Sequence, residues 1–163
     1  MRGEPDFMRL TMRLTWMFVF AVLSMAPVMA EDGHREESHR NNVGVFLGVT
    51  GEDRRDRAGT LALEYSRWFD ESFGIGGVVE YAFGDLDFLV LAVPLAYRVD
   101  AWKFYAGPGV EMEERGDTEF LFRIGGEYAF EVGERTEVAP QVNLDFVDGD
   151  TVVVFGVLVA YGF

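Results

Sequence analysis

The chain of 163 residues contains no cysteine and only two histidines. Without cysteine, an exported domain of this size has no disulfides to hold it together, and no Cys/His metal cluster can be assembled. Basic residues are scarce as well. From Glu31 onward, 11 Lys and Arg stand against 26 Asp and Glu, a formal charge of −15. Such a surface has no basic field with which to neutralise phosphates, so nucleic acid is excluded as a partner. Long apolar runs are missing except for one near the N-terminus, so no later segment can cross a bilayer as a helix.

That one run has the design of an export leader. Arg9 and Arg13 precede the uncharged stretch Leu14 to Ala30, which has an apolar centre from Trp16 to Leu23, and Val28 and Ala30 place small residues at −3 and −1 of a cleavage site. Residues 1–30 are therefore expected to be a signal peptide cleaved after Ala30. An uncleaved anchor is the alternative, for which the run lies at the short end. Glu4 and Asp6 are unusual in a basic leader, which leaves Met1, Met8 and Met12 as candidate starts. Residues 31–41 are charged and aperiodic and are expected to form a short periplasmic tail.

What is abundant after residue 41 is alternation with period two, the signature of strands. Eight segments show it: Asn42–Thr50, Thr60–Phe69, Phe73–Gly84, Asp87–Val99, Trp102–Glu113, Thr118–Glu131, Thr136–Val147 and Thr151–Phe163. In Thr118–Glu131, the side chains Phe120, Phe122, Ile124, Tyr128 and Phe130 fall on one face, and Glu119, Arg123, Gly125, Glu127 and Glu131 on the other. In a soluble sandwich or lipocalin-like barrel the apolar face would be the interior. Three features favour the inverse. The polar faces mix Glu with Gly and Ala, as a small crowded lumen requires. Large aromatics (Phe73 and Phe83, Trp102 and Phe104, Phe120 and Phe130) lie near strand ends, like girdles at two bilayer interfaces. The last strand aligns Phe155, Val157, Val159, Tyr161 and a terminal Phe163 on one face. The expected fold is all-β, an eight-stranded antiparallel up-and-down transmembrane β-barrel over residues 42–163. Strands of about 9–13 residues suit a tilted crossing, and Pro94, Pro108 and Pro140, inside strand patterns, are expected to mark bulges.

With an even strand count both barrel ends lie on the periplasmic side. The outer loops are then Gly51–Gly59, Gly84–Asp87, Glu113–Asp117 and Asp148–Asp150, and the inner turns Asp70–Ser72, Asp100–Ala101 and Gly133–Arg135.

The phrases Glu64-Tyr65-Ser66-Arg67-Trp68-Phe69 and Glu80-Tyr81-Ala82-Phe83-Gly84-Asp85 resemble the strand-and-turn wording of the small outer-membrane β-barrel families, similar to the OmpA transmembrane domain and OmpX. Val157 to Phe163 resembles the C-terminal signal that the barrel-assembly machinery recognises. The resemblance implies localisation in the outer membrane of a Gram-negative-type cell. It also implies lipid and lipopolysaccharide as surroundings, the assembly machinery as a partner during biogenesis, and a monomer. Full-length OmpA carries a further domain after its barrel; nothing here corresponds to it, so no peptidoglycan-binding role is expected.

The candidate lumen residues are Glu64, Glu80, Lys103, Glu111, Arg123, Glu127, Gln141, Asn143 and Asp145. An interior of eight strands is just wide enough for side chains to fill, so a plugged lumen in which carboxylates pair with Arg123 and Lys103 is expected. A gated proton or cation path is the sharper alternative. His34 and His39, with Glu36 and Glu37 between them, could suggest a metal site, but they fall in the charged tail. Asp53, Asp56, Asp85, Asp87, Glu113, Glu114, Asp117, Asp148 and Asp150 read as solvated loop acids that could also meet divalent cations, and Arg54, Arg55 and Arg57 could meet lipid phosphates. Some barrels of this group are lipid-modifying enzymes that use His with Ser or an acid; here no histidine lies in a strand and none is near Ser66 or Ser72. No cofactor, metal or enzymatic activity is expected. A structural or surface-interaction role is the expected function, with a narrow channel or carrier as the alternative.

Overall fold

The computed structural model describes residues 40–163 apart from 53–55, 85 and 114–117. The leader, most of the tail with its two histidines, and Asp53, Arg54, Arg55, Asp85, Glu114 and Asp117 lie outside the described residues. Among those described there is no helix.

Eight strands run in sequence: β1 Asn41–Glu52, β2 Asp56–Trp68, β3 Phe73–Gly84, β4 in two segments Phe88–Ala92 and Leu95–Val99, β5 Trp102–Glu113, β6 Thr118–Tyr128 continued by Phe130–Glu131, β7 Thr136–Val147 and β8 Asp150–Gly162. Each pairs antiparallel with the next, and β8 pairs with β1, so the sheet closes on itself. Closure leaves no open edge, which a backbone surrounded by hydrocarbon requires.

The register fixes the geometry. From Phe88 the paired residues run through Ala82, Thr60, Gly48, Gly156, Gln141, Glu127 and Lys103, and return to β4 at Arg98, ten residues further on. A shear of ten over eight strands, with about 3.3 Å rise per residue and about 4.8 Å between strands, tilts the strands by about 40° and gives a radius of about 8 Å. Strands of 12 residues then advance about 30 Å along the axis, enough to pass an apolar belt about 25 Å tall.

Three expectations need correction. The first loop, expected over Gly51–Gly59, is mostly ladder: pairing runs out to Glu52↔Asp56, so Arg57 belongs to β2. The expected tail ends one residue early, because Asn41 already pairs with Arg67 and exchanges both backbone bonds with Phe163. The three prolines make no bulge. Register is unchanged on either side of Pro94 against both neighbours, and runs straight through Pro108↔Phe122 and Pro140↔Val157. A proline removes only a donor. Its carbonyl still works: Gly76 N–H donates to Pro94 O at 2.7 Å, and Val93 N–H donates to Pro108 O at 2.9 Å. The Pro94 ring has room because glycines flank it. A Cβ on Gly76 would meet its Cγ at 3.2 Å, and one on Gly107 its Cα at 2.5 Å.

Glycines make space for rings elsewhere in the same way. Phe46 lies inside the barrel against Gly48 and Gly156, where a Cβ on either would meet its Cζ at about 2.5 Å. Outside, Phe83 covers Gly59, an aromatic shielding a bare stretch of strand.

The turns follow their chemistry. Asp148 and Gly149 both have positive φ, as the two-residue hairpin between Val147 and Asp150 demands. In the β2–β3 turn the Asp70 carboxylate accepts from Ser72 N (2.8 Å) and Phe73 N (2.7 Å). These bonds hold its pKa below the ordinary carboxylate range.

Two outcomes follow from these contacts. Gly107→Ala, whose Cβ would strike backbone of Val93 and Pro94, should destabilise by about 1–3 kcal/mol, whereas Gly77→Ala, with open space at its Cβ, should stay within about 0.5 kcal/mol. Urea unfolding in lipid vesicles compares them. Because the Asp70 pKa is lowered on folding, the carboxylate supports its turn above the ordinary range near 3.9, and that support fades as pH falls through the lowered value. An NMR titration midpoint of Asp70 at or above the ordinary value would contradict this.

Candidate functional site: the charged lumen and the apolar exterior

Alternation puts opposite chemistries on the two faces of the wall. The outward face is apolar on every strand: Val45 and Leu47, Leu61 and Leu63, Val79, Leu91 and Leu95, Phe104, Phe122 and Ile124, Val142 and Leu144, Val157 and Val159 are all exposed. The inward face buries Glu80, Arg123, Glu127, Gln141, Asn143 and Asp145 at 3% exposure or less. A soluble barrel of the lipocalin kind would have the reverse arrangement, so that reading is excluded by the orientation of the side chains.

Aromatic rings gather toward the two ends of the outer face. At the end bearing Asn41 and Phe163, Phe73 packs on Tyr97 with centroids 5.0 Å apart, and Trp102, Tyr128 and Phe130 form a run with spacings of 5.0 and 4.9 Å. Toward the loop end lie Tyr81 and Phe83, 6.5 Å apart, and the outward Phe120. Amphipathic rings at both rims match the girdles of a bilayer-spanning barrel. Phe155, Val157, Val159, Tyr161 and Phe163 all point outward from β8.

Inside, the expected lumen residues come together in two layers. Nearer the loops, Arg123 on β6 is held by two carboxylates. Its Nε and Nη2 donate to Asp145 of the adjacent β7, both at 2.6 Å, and its Nη1 and Nη2 donate to Glu80 across the lumen on β3 at 2.9 and 3.0 Å. A guanidinium fork can serve both carboxylates at once, which an ammonium could not do. Nearer Asn41 and Phe163, Lys103 Nζ sits 2.6 Å from Glu127 Oε1, and Gln141 Nε2 donates to Glu64 Oε1 at 2.7 Å across the barrel. Glu111 is also buried, close to the loop end of β5. No metal-holding group of three His, Cys, Asp or Glu occurs among the described residues.

Three contacts were not among the candidates: the Tyr105 hydroxyl donating to Asn143, the hydroxyl pair Thr50–Thr60, and Arg98 stacked 4.1 Å over the Trp68 ring. The signal was present, since Tyr105 alternates in phase with Lys103, and Trp68 with Glu64, but their apolar bulk hid the inward position.

Apolar side chains complete the plug. Phe88, Val90, Leu121, Val147, Val152 and Val154 belong to one buried apolar cluster, in which Leu121 and Val147 stand two residues beyond Arg123 and Asp145 toward the loop end. Buried ion pairs rarely add net stability, but losing one partner leaves a charge stranded. Arg123→Ala strands Glu80 and Asp145 and should cost about 3–5 kcal/mol. Replacing all three together (Arg123→Met, Glu80→Leu, Asp145→Leu) should recover most of it. A triple variant no more stable than Arg123→Ala in vesicle unfolding would refute this account of the plug.

No protein-family model matches the sequence, and no curated protein matches it. Solved structures do. The N-terminal β-barrel domain of Pseudomonas aeruginosa OprF aligns with a TM-score of 0.63 at 8% identity, over 78% of this chain and 100% of that one. The Yersinia pestis outer membrane protein Ail in a phospholipid bilayer nanodisc aligns at 0.51 with 14% identity, over 78% and 100%. A de novo designed transmembrane β-barrel aligns at 0.53 with 14% identity, over 80% and 100%. Identities this low establish the fold alone. In fold, the chain is a small eight-stranded β-barrel of the outer-membrane type.

Proposed function

We propose that the chain is a non-enzymatic outer-membrane barrel with a structural or surface-interaction role. It is exported as a precursor cleaved after Ala30 and stands as a monomer in outer-membrane lipid and lipopolysaccharide. The observation that carries this reading is the pairing of an unbroken apolar exterior with a filled lumen. Apolar surface over every strand far exceeds the few hundred Å² that soluble monomers leave bare, and a bilayer is the solvent that matches it. The structure of the outer membrane protein Ail in a phospholipid bilayer nanodisc is in keeping with that location. On this reading the row Phe155, Val157, Val159, Tyr161 and Phe163 serves as the assembly signal.

Burial in the middle of the lumen supports this reading over a channel, which needs a continuous polar path. Arg123, clamped between Glu80 and Asp145, is 0% exposed, and Val90 and Leu121 are likewise 0% exposed. The carboxylates therefore act as struts that join β3, β6 and β7 across the interior, and the role is sought at the rims and the outer surface. Fold alone does not name the partner.

Three measurements on the full chain test the reading. The protein should sediment with outer membranes. Unboiled protein refolded in detergent should migrate differently in SDS from boiled protein. Planar bilayers containing it should stay at lipid baseline. Recovery as a compact monomer in detergent-free buffer would refute the membrane location, and stepwise conductance would favour the channel.

A further inference from the structure

Lumen side chains differ in access along the barrel axis. In the loop-end half, Glu80, Arg123, Asp145, Thr50 and Thr60 are at most 1% exposed, and Phe88 and Val152 are at most 5%. In the terminus-end half, Asn42, Glu64, Ser66 and Glu137 are partly exposed although they stand on the inner face, and the Lys103 side chain is 14% exposed. These five and Tyr105 line a cavity of about 30 Å³, enough for two or three waters.

Besides Trp68 Nε1 beneath Arg98, three deeper buried polar atoms have no protein partner here: Glu127 Oε2, Gln141 Oε1 and Asn143 Nδ2. They are close in register, Glu127 opposite Gln141 and Asn143 two residues further along β7. Because the Tyr105 hydroxyl occupies Asn143 Oδ1, the free Nδ2 is a donor. Water in this region would supply the acceptor that Nδ2 needs and the donors that the two oxygens need. The charge of the region leans negative: Glu64, Glu127 and Glu137 stand against Lys103 and, at the rim, Arg98 over the Trp68 ring.

We propose that the terminus-end half of the lumen is a blind vestibule, water-filled and cation-selective. It opens only at the end carrying Asn41 and Phe163 and stops at Glu127, Gln141 and Asn143, below the Arg123 plug. Its ligands are water and small hydrophilic cations, which enter and leave by the same mouth. This rests on the membrane-spanning, non-conducting reading above and extends it from a sealed lumen to a half-open one.

The chain has no native cysteine, so single-cysteine variants report on one site each. In vesicles, Glu71→Cys in the β2–β3 turn and Asp87→Cys at the loop end identify which end faces added Ag⁺. Ser66→Cys should be consumed by Ag⁺ whenever Glu71→Cys is and never when only Asp87→Cys is, and Thr60→Cys should survive exposure from either side. At Ser66→Cys, 2-aminoethyl methanethiosulfonate should react roughly tenfold faster than its 2-sulfonatoethyl counterpart, because a negative cleft concentrates cations. Reaction of Ser66→Cys from the loop end, its silence from the terminus end, or consumption of Thr60→Cys would overturn the blind vestibule. Equal rates for the two thiosulfonates would overturn its cation preference. Heat-dependent SDS mobility of the same samples separates the two levels: samples that retain it and fail the labelling pattern refute the vestibule alone, and samples without it refute the membrane reading together with the vestibule.

Discussion

The structure depends on one constraint, that every backbone N–H and C=O in the wall must find its partner within the wall. Water can satisfy an open edge in a soluble sheet; hydrocarbon cannot. Pairing of β1 with β8 is therefore the interaction on which the others rest. Once the ladder is closed, strand number and shear set the radius, and the radius sets how much side chain the interior can hold. The Glu, Gly and Ala of the inner faces answer that limit, with glycine placed where Phe46, Tyr105 and Pro94 need room.

The same closure explains why charge is tolerated inside. Outside the wall, an unpaired carboxylate would meet lipid. Inside, Arg123 and Lys103 meet Glu80, Asp145 and Glu127 at hydrogen-bond distance. Such a network contributes more to a unique arrangement of opposing strands than to net stability. Strand β3 cannot slip past β6 by one residue without turning Glu80 outward and abandoning the guanidinium.

Much of this was legible in the chain. Phe73–Gly84, Trp102–Glu113 and Thr136–Val147 have the bounds their alternation indicates, because each is closed by turn-forming residues and carries unlike faces. The inward direction of Glu80 and Arg123 followed from the company they keep, glycine and alanine rather than other solvated polar residues. Three things were not legible. The extra turn of ladder in β1 and β2 is written in polar residues, Glu52, Asp56 and Arg57, that locally read as loop. Pro94, Pro108 and Pro140 suggest broken pairing, yet their cost depends on the carbonyl, which stays bonded, and on glycines distant in sequence. The partnership of Glu80 with Arg123 spans the lumen, and only the shear decides which residues on β3 and β6 stand at the same height.

Asn41 and Phe163 exchange two backbone hydrogen bonds across a separation of 122 residues. The seam of the cylinder is thus sewn between the first and last strands of the barrel. No shorter nascent piece can hide its edges, since any chain lacking β8 exposes the free sides of both β1 and β7. Folding is consequently a concerted event with very non-local contacts, slow for a barrel this small, and the polypeptide must be kept from sticking to its neighbours until β8 is in hand.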